Sequence, residues 1–233
     1  MSNSVQGAQS FARGINVLQL IADAPSSISR AELMETCGLT RPTLYRVLSS
    51  LESEGLIEAT ADKRYRLGGR LVILARTALA QNDVRRIAKP ALAKLRDATG
   101  ETVHLAIRSG DELVYIDKIE SREIVRMSST IGTRVLLHST SVGKAFLSAM
   151  SADEADALIQ RIELPAITQF TATSREALRK TIRTARLDGF VRDDQENEIG
   201  IVCFGAATCE SADQPVASVS VSVPLFRLGK TEH

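Results

Sequence analysis

Two sets of residues in this chain have the types and spacing to do chemistry. The first is Thr40, Arg41, Thr43, Tyr45 and Arg46, short or cationic side chains crowded into the opening turns of one helical stretch. A helix laid into a DNA major groove needs such residues at its front, because they reach base edges and phosphates without steric exclusion. An ordinary solvated helix face carries the same residues, so this pattern alone decides nothing. Lys63 and Arg64 follow as a basic pair at a hairpin tip, placed to touch phosphates or a minor groove, although such a pair is also common on plain surface. The second set begins at Ser139-Thr140-Ser141-Val142-Gly143, which opens a helix whose first amides lack intrahelical partners and can hold an anion such as a carboxylate. A plain N-terminal cap reads the same way. Ser220 and Ser222 share one face of a late strand and could donate to one ligand, unless they merely face water from a sheet edge.

Cys203 with His104 or His138 has the makings of a small cysteine hydrolase. No nucleophile elbow or oxyanion loop accompanies them, and histidines and thiols in such settings are more often packing residues, so no catalytic role is assigned. Cys37, Cys203 and Cys209 are odd in number and lack a C-x-x-C, which favours free thiols over a disulfide framework. With His104, His138 and His233 they spell out no metal cluster; neither metal nor cofactor is expected.

The elements that must position these residues follow from periodicity and caps. Phe11, Ile15, Leu18 and Ile21 share one face of a first helix, which Pro25 and two serines stop. Ser29 and Glu32 form a capping box for a second helix ending at Gly38. Thr40 is the N-cap of a third, with Pro42 tolerated in its first turn and Leu44, Val47, Leu48 and Leu51 turned inward. Gly55 ends it, and Leu56–Glu58 and Tyr65–Leu67 flank a polar hairpin. Helix, helix, short turn, helix, hairpin is the order of a winged helix-turn-helix.

Leu71–Ala80 is an apolar helix with little polar face, expected to pack against a partner, and Ile87–Ala98 continues as helix to Gly100. The alternation then changes to strands at Thr102–Arg108, Glu112–Lys118 and Ile124–Met127. Ser151 with Glu154 and Thr173 with Glu176 mark two more helices by capping boxes, and the last strands are Ile201–Thr208 and Val216–Val223. In the latter Val219, Val221 and Val223 alternate with Ser218, Ser220 and Ser222. The expected class is α+β: a winged helix-turn-helix over 1–69, a linker and dimerisation helix over 70–82, and a second domain with an antiparallel sheet over 83–233.

Composition agrees with folded structure throughout: 44% hydrophobic and 24% charged residues are ordinary for a globular protein. The net charge of +1 does not announce a nucleic-acid binder. Between Thr40 and Arg70, however, Arg41, Arg46, Lys63, Arg64, Arg66 and Arg70 stand against Glu52, Glu54, Glu58 and Asp62, and the acids fall late, leaving a local basic footprint. No apolar run approaches the roughly 20 residues that a bilayer needs, and Met1–Gln9 is too polar for a signal peptide, so a cytoplasmic location without membrane contact is expected.

In order and spacing the chain resembles the IclR family, named for the isocitrate lyase regulator. The matching segments are Arg13-Gly14-Ile15, Leu39-Thr40-Arg41-Pro42-Thr43-Leu44-Tyr45-Arg46 and Tyr65-Arg66-Leu67-Gly68 in the first half. In the second they are Gly100-Glu101-Thr102-Val103, His138-Ser139-Thr140-Ser141-Val142-Gly143-Lys144-Ala145, Asp193-Asp194-Gln195-Glu196-Asn197-Glu198 with Gly200 and Cys203, and Ser220-Val221-Ser222. The resemblance implies a winged helix that binds double-stranded operator DNA, a dimerising linker helix, and a GAF-like α/β effector domain for small carboxylates. Carried over residue by residue, the family pattern puts Ser141, Val142, Asp193, Cys203, Ser220 and Ser222 at the effector, and His138 in a pocket-shaping segment. Taken without the family, Asp193 reads as a turn cap and Cys203 as core packing. Leu136 and Ala207 stand where the family commonly has proline, relaxing two backbone constraints, and the chain ends sooner after Ser222 than is usual.

The expected function is therefore a DNA-binding transcription regulator, a repressor of a catabolic operon more than an activator, working as a homodimer or tetramer. The scarcity of aromatics in the pocket motifs favours a short oxo- or hydroxy-acid as effector. The rivals are a cysteine hydrolase fused to a DNA-binding module and a structural DNA binder without a ligand.

Overall fold

The computed structural model describes residues 9–125, 127, 129–212 and 214–229, and the chain divides into two compact units, one ending at Gln81 and the other beginning at Asn82. The stretch through Ala8, part of the segment weighed as a signal peptide, and His233 lie outside the described residues. Among the described residues no helix is long and apolar enough to cross a membrane.

The first unit runs α1 (Gln9–Asp23), α2 (Arg30–Thr36), α3 (Arg41–Ser53), β1 (Ile57–Ala59), β2 (Tyr65–Leu67) and α4 (Gly69–Ala80). Ser29 and Glu32 cap α2 reciprocally, and Gly38 takes the left-handed φ of 64° that turns the chain into α3. Leu44, Leu48 and Leu51 of α3 close a core with Val17, Ile21, Leu33, Ile57 and Tyr65, and β1 and β2 form the wing. Gly68 cannot be replaced without movement, since a Cβ there would sit 2.2 Å from the Gly55 carbonyl oxygen. The inward face of α1 differs from the expected one: Val17 and Ile21 are buried, while Phe11 and Ile15 are exposed, because the core of this unit reaches only the C-terminal half of the helix. No residue of α4 is buried.

The second unit opens with α5 (Asp83–Thr99), capped by Asn82 and closed by Gly100 in the left-handed region. Then come β3 (Thr102–Ser109), β4 (Glu112–Ile119), β5 (Arg134–Val135), α6 (Ser141–Ala149), α7 (Ala152–Arg161), α8 (Arg175–Asp188), β6 (Val191–Asp194), β7 (Ile201–Ser211) and β8 (Gln214–Pro224). All six strands make one antiparallel sheet in the order β5-β4-β3-β8-β7-β6. Among the described residues of the stretch expected as a strand at Ile124–Met127 none is in a strand: residues 122–125 are a bend, Ile124 is 95% exposed, and the place beside β4 is taken by Arg134–Val135. The N-cap of α8 is Ser174, which accepts from Ala177 N, one residue beyond Thr173.

Both faces of the sheet are put to use. Ser218, Ser220 and Ser222 are buried, whereas Val219, Val221 and Val223 are half-exposed. α6 covers the serine face. Gly205 pairs directly with Ser220, so their side-chain positions share a face, and a Cβ on Gly205 would lie 2.5 Å from the Ser141 carbonyl oxygen. β8 sits between β3 and β7, which removes the alternative that its serines face water from a sheet edge.

Candidate functional site

On the first unit the short or cationic residues do gather on the exposed front of α3. Thr40 occupies the N-cap position with its hydroxyl 2.9 Å from that of Thr43, not on a backbone amide. Arg41 and Arg46 are exposed and Thr43 is half-buried. Tyr45 is held between two cations: Arg30 lies 4.5 Å from its ring centre, and Arg41 donates to its hydroxyl at 3.4 Å. Hydrogen bonds from Arg41 and Arg30 hold the phenol below its ordinary pKa. Arg30 also donates to the Tyr65 hydroxyl at 2.6 Å, tying α2, α3 and the wing together. Sequence periodicity had no means of finding this cation, whose partner is 35 residues away.

The wing tip separates its two basic residues. Lys63 stands at the turn with φ 61°. Arg64 folds back onto α2, its Nε donating to Ser27 Oγ at 3.0 Å and its terminal nitrogen to the Ser27 carbonyl and the Glu32 carboxylate, each at 2.9 Å. Arg64 thus fastens the wing to α2, while Lys63 stands at the turn of the tip.

In the second unit, Asp193, Cys203 and Ser222 are partnered in register across β6, β7 and β8 and so lie in a row on the face under α6. Cys203 Sγ donates to Ser222 Oγ at 3.2 Å. Ser220, paired with Gly205 on one side and His104 on the other, sits two residues along the same face. Ser141 and Val142 form the first turn of α6, buried against the strand. The next two amides are already occupied: Gly143 N donates to Thr140 Oγ1 at 3.1 Å and Lys144 N to the Thr140 carbonyl at 3.0 Å. Among the described residues that leaves the amides of Ser141 and Val142 as the open donors of the helix end. Ser218, on the same face as Ser220, buries a hydroxyl with no protein partner among the described residues. A buried hydroxyl left so costs about 1–3 kcal/mol, which a ligand or water would recover.

Four further groups complete this site. His104 places Nδ1 3.5 Å from Ser222 Oγ and Nε2 2.6 Å from Ser129 Oγ, and its ring stacks on Tyr115 at 4.7 Å. Lys144 is 1% exposed, donating to the Arg192 carbonyl at 2.9 Å and pairing with Glu196. Asp193 Oδ1 in turn accepts from Glu196 N at 2.8 Å. The loop bearing Glu196 is pinned by Thr168 and Thr171, which donate to the carbonyls of Gln195 and Glu196 at 2.7 and 2.6 Å. A hollow of about 330 Å³, lined in part by Tyr115, Met127, Ser129, Asn197 and Glu198, adjoins the array through Tyr115 and Ser129. Lys144 carried a signal in sequence, a lysine amid Val142, Ala145, Phe146 and Leu147, whereas its partner, 52 residues on, did not.

The electrostatics suit binding and oppose thiol catalysis. Burial raises the Asp193 carboxyl to about 6 despite the pull of Lys144. Burial, with Asp193 nearby, pushes the Cys203 thiol up to about 12, and burial with Lys118 nearby lowers His104 to about 4. A thiolate paired with an imidazolium needs both shifts in the opposite sense. His138 is fully buried with Nε2 3.0 Å from the Pro165 carbonyl oxygen, a structural position. No group of three or more histidines, cysteines or carboxylates able to hold a metal occurs among the described residues.

Comparison with known proteins bears on both units. Residues 76–233 match the family model for the bacterial transcriptional regulator IclR C-terminal domain, and residues 10–61 match the IclR helix-turn-helix domain. The chain is 29% identical over 223 residues to the transcriptional repressor IclR of Escherichia coli strain K12, covering 94% of this chain and 81% of that protein. It is 31% identical over 225 residues to the HTH-type transcriptional regulator XynR of the same strain, covering 96% and 89%. Among solved structures, the Thermotoga maritima IclR superposes with a TM-score of 0.69 at 32% identity, covering 95% of this chain and 90% of that one.

Proposed function

This chain belongs to the IclR family, as a DNA-binding transcription regulator and not an enzyme, and we propose that it represses a catabolic operon as a homodimer whose hold on its operator is released by a small carboxylate. Thr40, Arg41, Thr43, Tyr45 and Arg46 at the front of α3 read the operator, with Lys63 of the wing on the phosphates. The carboxylate lies against the amides of Ser141 and Val142 and the hydroxyls of Ser220 and Ser222, with Asp193 and Cys203 beside it. The observation that carries this is the row of buried polar side chains on a central strand beneath a helix N-terminus, where a core would otherwise be apolar. Repression is supported by the similarity to a named repressor. Dimerisation is supported by α4, whose Val72, Ile73 and Leu74 are exposed together on a helix that buries nothing within its unit.

Footprinting of the full chain on the DNA flanking its own gene, with and without short carboxylic acids, tests the reading. A protected palindrome that is lost on adding an acid is the expected result. A single asymmetric half-site bound at full affinity by a monomer overturns the dimer, and a footprint indifferent to every acid overturns the effector.

A further inference from the structure

For a place that is to hold an anion, the array under α6 is rich in carboxylate. Asp193 is 2% exposed. Facing it are Lys144 from α6, Cys203 from β7, Tyr115 from β4, and Glu196 from the loop after β6; Glu198 of that loop acts on Cys203, and His104 of β3 lies behind Tyr115. Lys144 is the cation of this group, and its charge is already matched by Glu196 at direct contact. A ligand carboxylate against Ser220, Ser222 and the helix end would therefore bring a second negative charge beside Asp193 where water is excluded. Two carboxylates so placed do not both stay ionised; they share a proton.

We propose that Asp193 enters the complex as a neutral acid, so that one proton is taken up with each ligand carboxylate, and that Asp193 thereby selects singly charged acids over doubly charged ones. This deepens the carboxylate reading given above and rests on it. The balance is simple: ligand anion, ionised Asp193 and one proton from solvent give a complex with a single negative charge spread over the pair. The Asp193 carboxyl keeps the hydrogen bonds from the Glu196 and Asn197 amides, and in the complex it carries the proton and donates it to the ligand. Burial has already brought the free carboxyl to about 6, so part of the cost of protonation is met before binding. A second carboxylate on the ligand would enter the hollow walled by Glu198 and by Arg134, whose charge is already set against Glu112 at 3.5 Å, and so would add a further negative charge beside Glu198.

The test is calorimetry on the full chain with lactate and benzoate as singly charged probes and malate and phthalate as their doubly charged counterparts, each in two buffers of different ionisation enthalpy. Expected are uptake of about one proton per bound monoacid at neutral pH, an affinity that falls about tenfold per pH unit above the Asp193 midpoint, and at least roughly tenfold weaker binding of the diacids. Asp193→Asn, an isostere of the neutral acid, should bind the monoacids without pH dependence, and Asp193→Ala should bind them poorly. The proton count on the unaltered chain decides the matter even where a variant fails to fold. Monoacid binding without proton uptake, or diacids bound as well as monoacids, overturns the proposal and leaves the carboxylate reading standing. No binding of any acid overturns both.

Discussion

Replacing Lys144 by methionine isolates the buried ion pair. The side chains are of similar length, so the change removes the ammonium with little change in volume. Three things are lost together: the charge that offsets Glu196, the donor to Glu196, and the donor to the Arg192 carbonyl. Removing one partner of a buried pair costs about 3–5 kcal/mol, mostly because the other charge is stranded. Glu196 retains 16% side-chain exposure, so water can reach its carboxylate and the cost is reduced to about 2–4 kcal/mol. Adding Glu196→Gln removes the stranded charge and should recover at least half of the loss, leaving about 1 kcal/mol for the unsatisfied Arg192 carbonyl. The chain has no tryptophan, so unfolding is followed by far-ultraviolet circular dichroism in urea, with hydrogen exchange to localise the effect. Protection should fall in α6 and in residues 191–198 while α3 keeps its own. If Lys144→Met lies within about 0.5 kcal/mol of the parent, or if the double variant is the worse of the two, the pair does not hold the loop to the helix and the electrostatic account of the site fails.

Three other outcomes follow from the geometry. Ser220→Ala with Ser222→Ala should cost about 1–3 kcal/mol of acid affinity, roughly tenfold or more by calorimetry, with operator binding in the absence of ligand unchanged in a gel-shift titration; full affinity in that variant would place the ligand elsewhere. Arg41→Ala or Arg46→Ala should weaken operator binding by about 1–3 kcal/mol where the side chain reads a base, and should weaken all DNA equally where it touches phosphate; no change for either residue would show that α3 is not the reading helix. Because the folded Asp193 carboxyl is raised, the native state holds a proton that the unfolded chain has lost, so stability falls as pH rises from about 4 to about 6, by on the order of 2–3 kcal/mol. Asp193→Asn should flatten that part of the stability profile, and an unaltered slope would assign it to another group.

What could be read from sequence was local, and what could not was distant. The Ser29 and Glu32 box, the left-handed glycines at 38, 55 and 100, and the alternation of β8 each act within a few residues, so their signal is written in consecutive letters. The fastening of Arg64 was not legible because its partners, Ser27 and Glu32, lie more than 30 residues earlier, and a basic pair looks the same whether solvated or folded back. Phe11 and Ile15 have the spacing of a core face, yet periodicity says only that a face is apolar, not how far along the helix the core extends. Ile124 and Val125 have the composition of a strand, but strand formation also requires a partner edge, and β4 gives that edge to Arg134 and Val135.

The strand β8 shows how far alternation alone can go. Its valines and serines were visible as two faces, and the usual rule would turn the valines inward. A slip of one residue exchanges the faces completely, so the sequence of β8 cannot by itself say which is covered. The neighbouring strands decide it. Register places Thr102 and His104 of β3 and Cys203 of β7 on the serine face, all buried, with α6 above them. The valine face meets Leu92 and Leu95 of α5 together with Phe190 and Phe204 around a shallow apolar groove. The valine face is packed by apolar contact with α5, while on the other face α6 packs Val142, Phe146 and Leu147 against Ala106, Leu113 and Tyr115, and the β8 hydroxyls beside this cluster are satisfied by hydrogen bonds where they find partners. A central strand bearing three buried serines is costly for stability unless each hydroxyl finds a partner: Ser222 accepts from Cys203 within the fold, whereas Ser218 has no protein partner among the described residues and leaves a hydrogen bond that a ligand or water would take up.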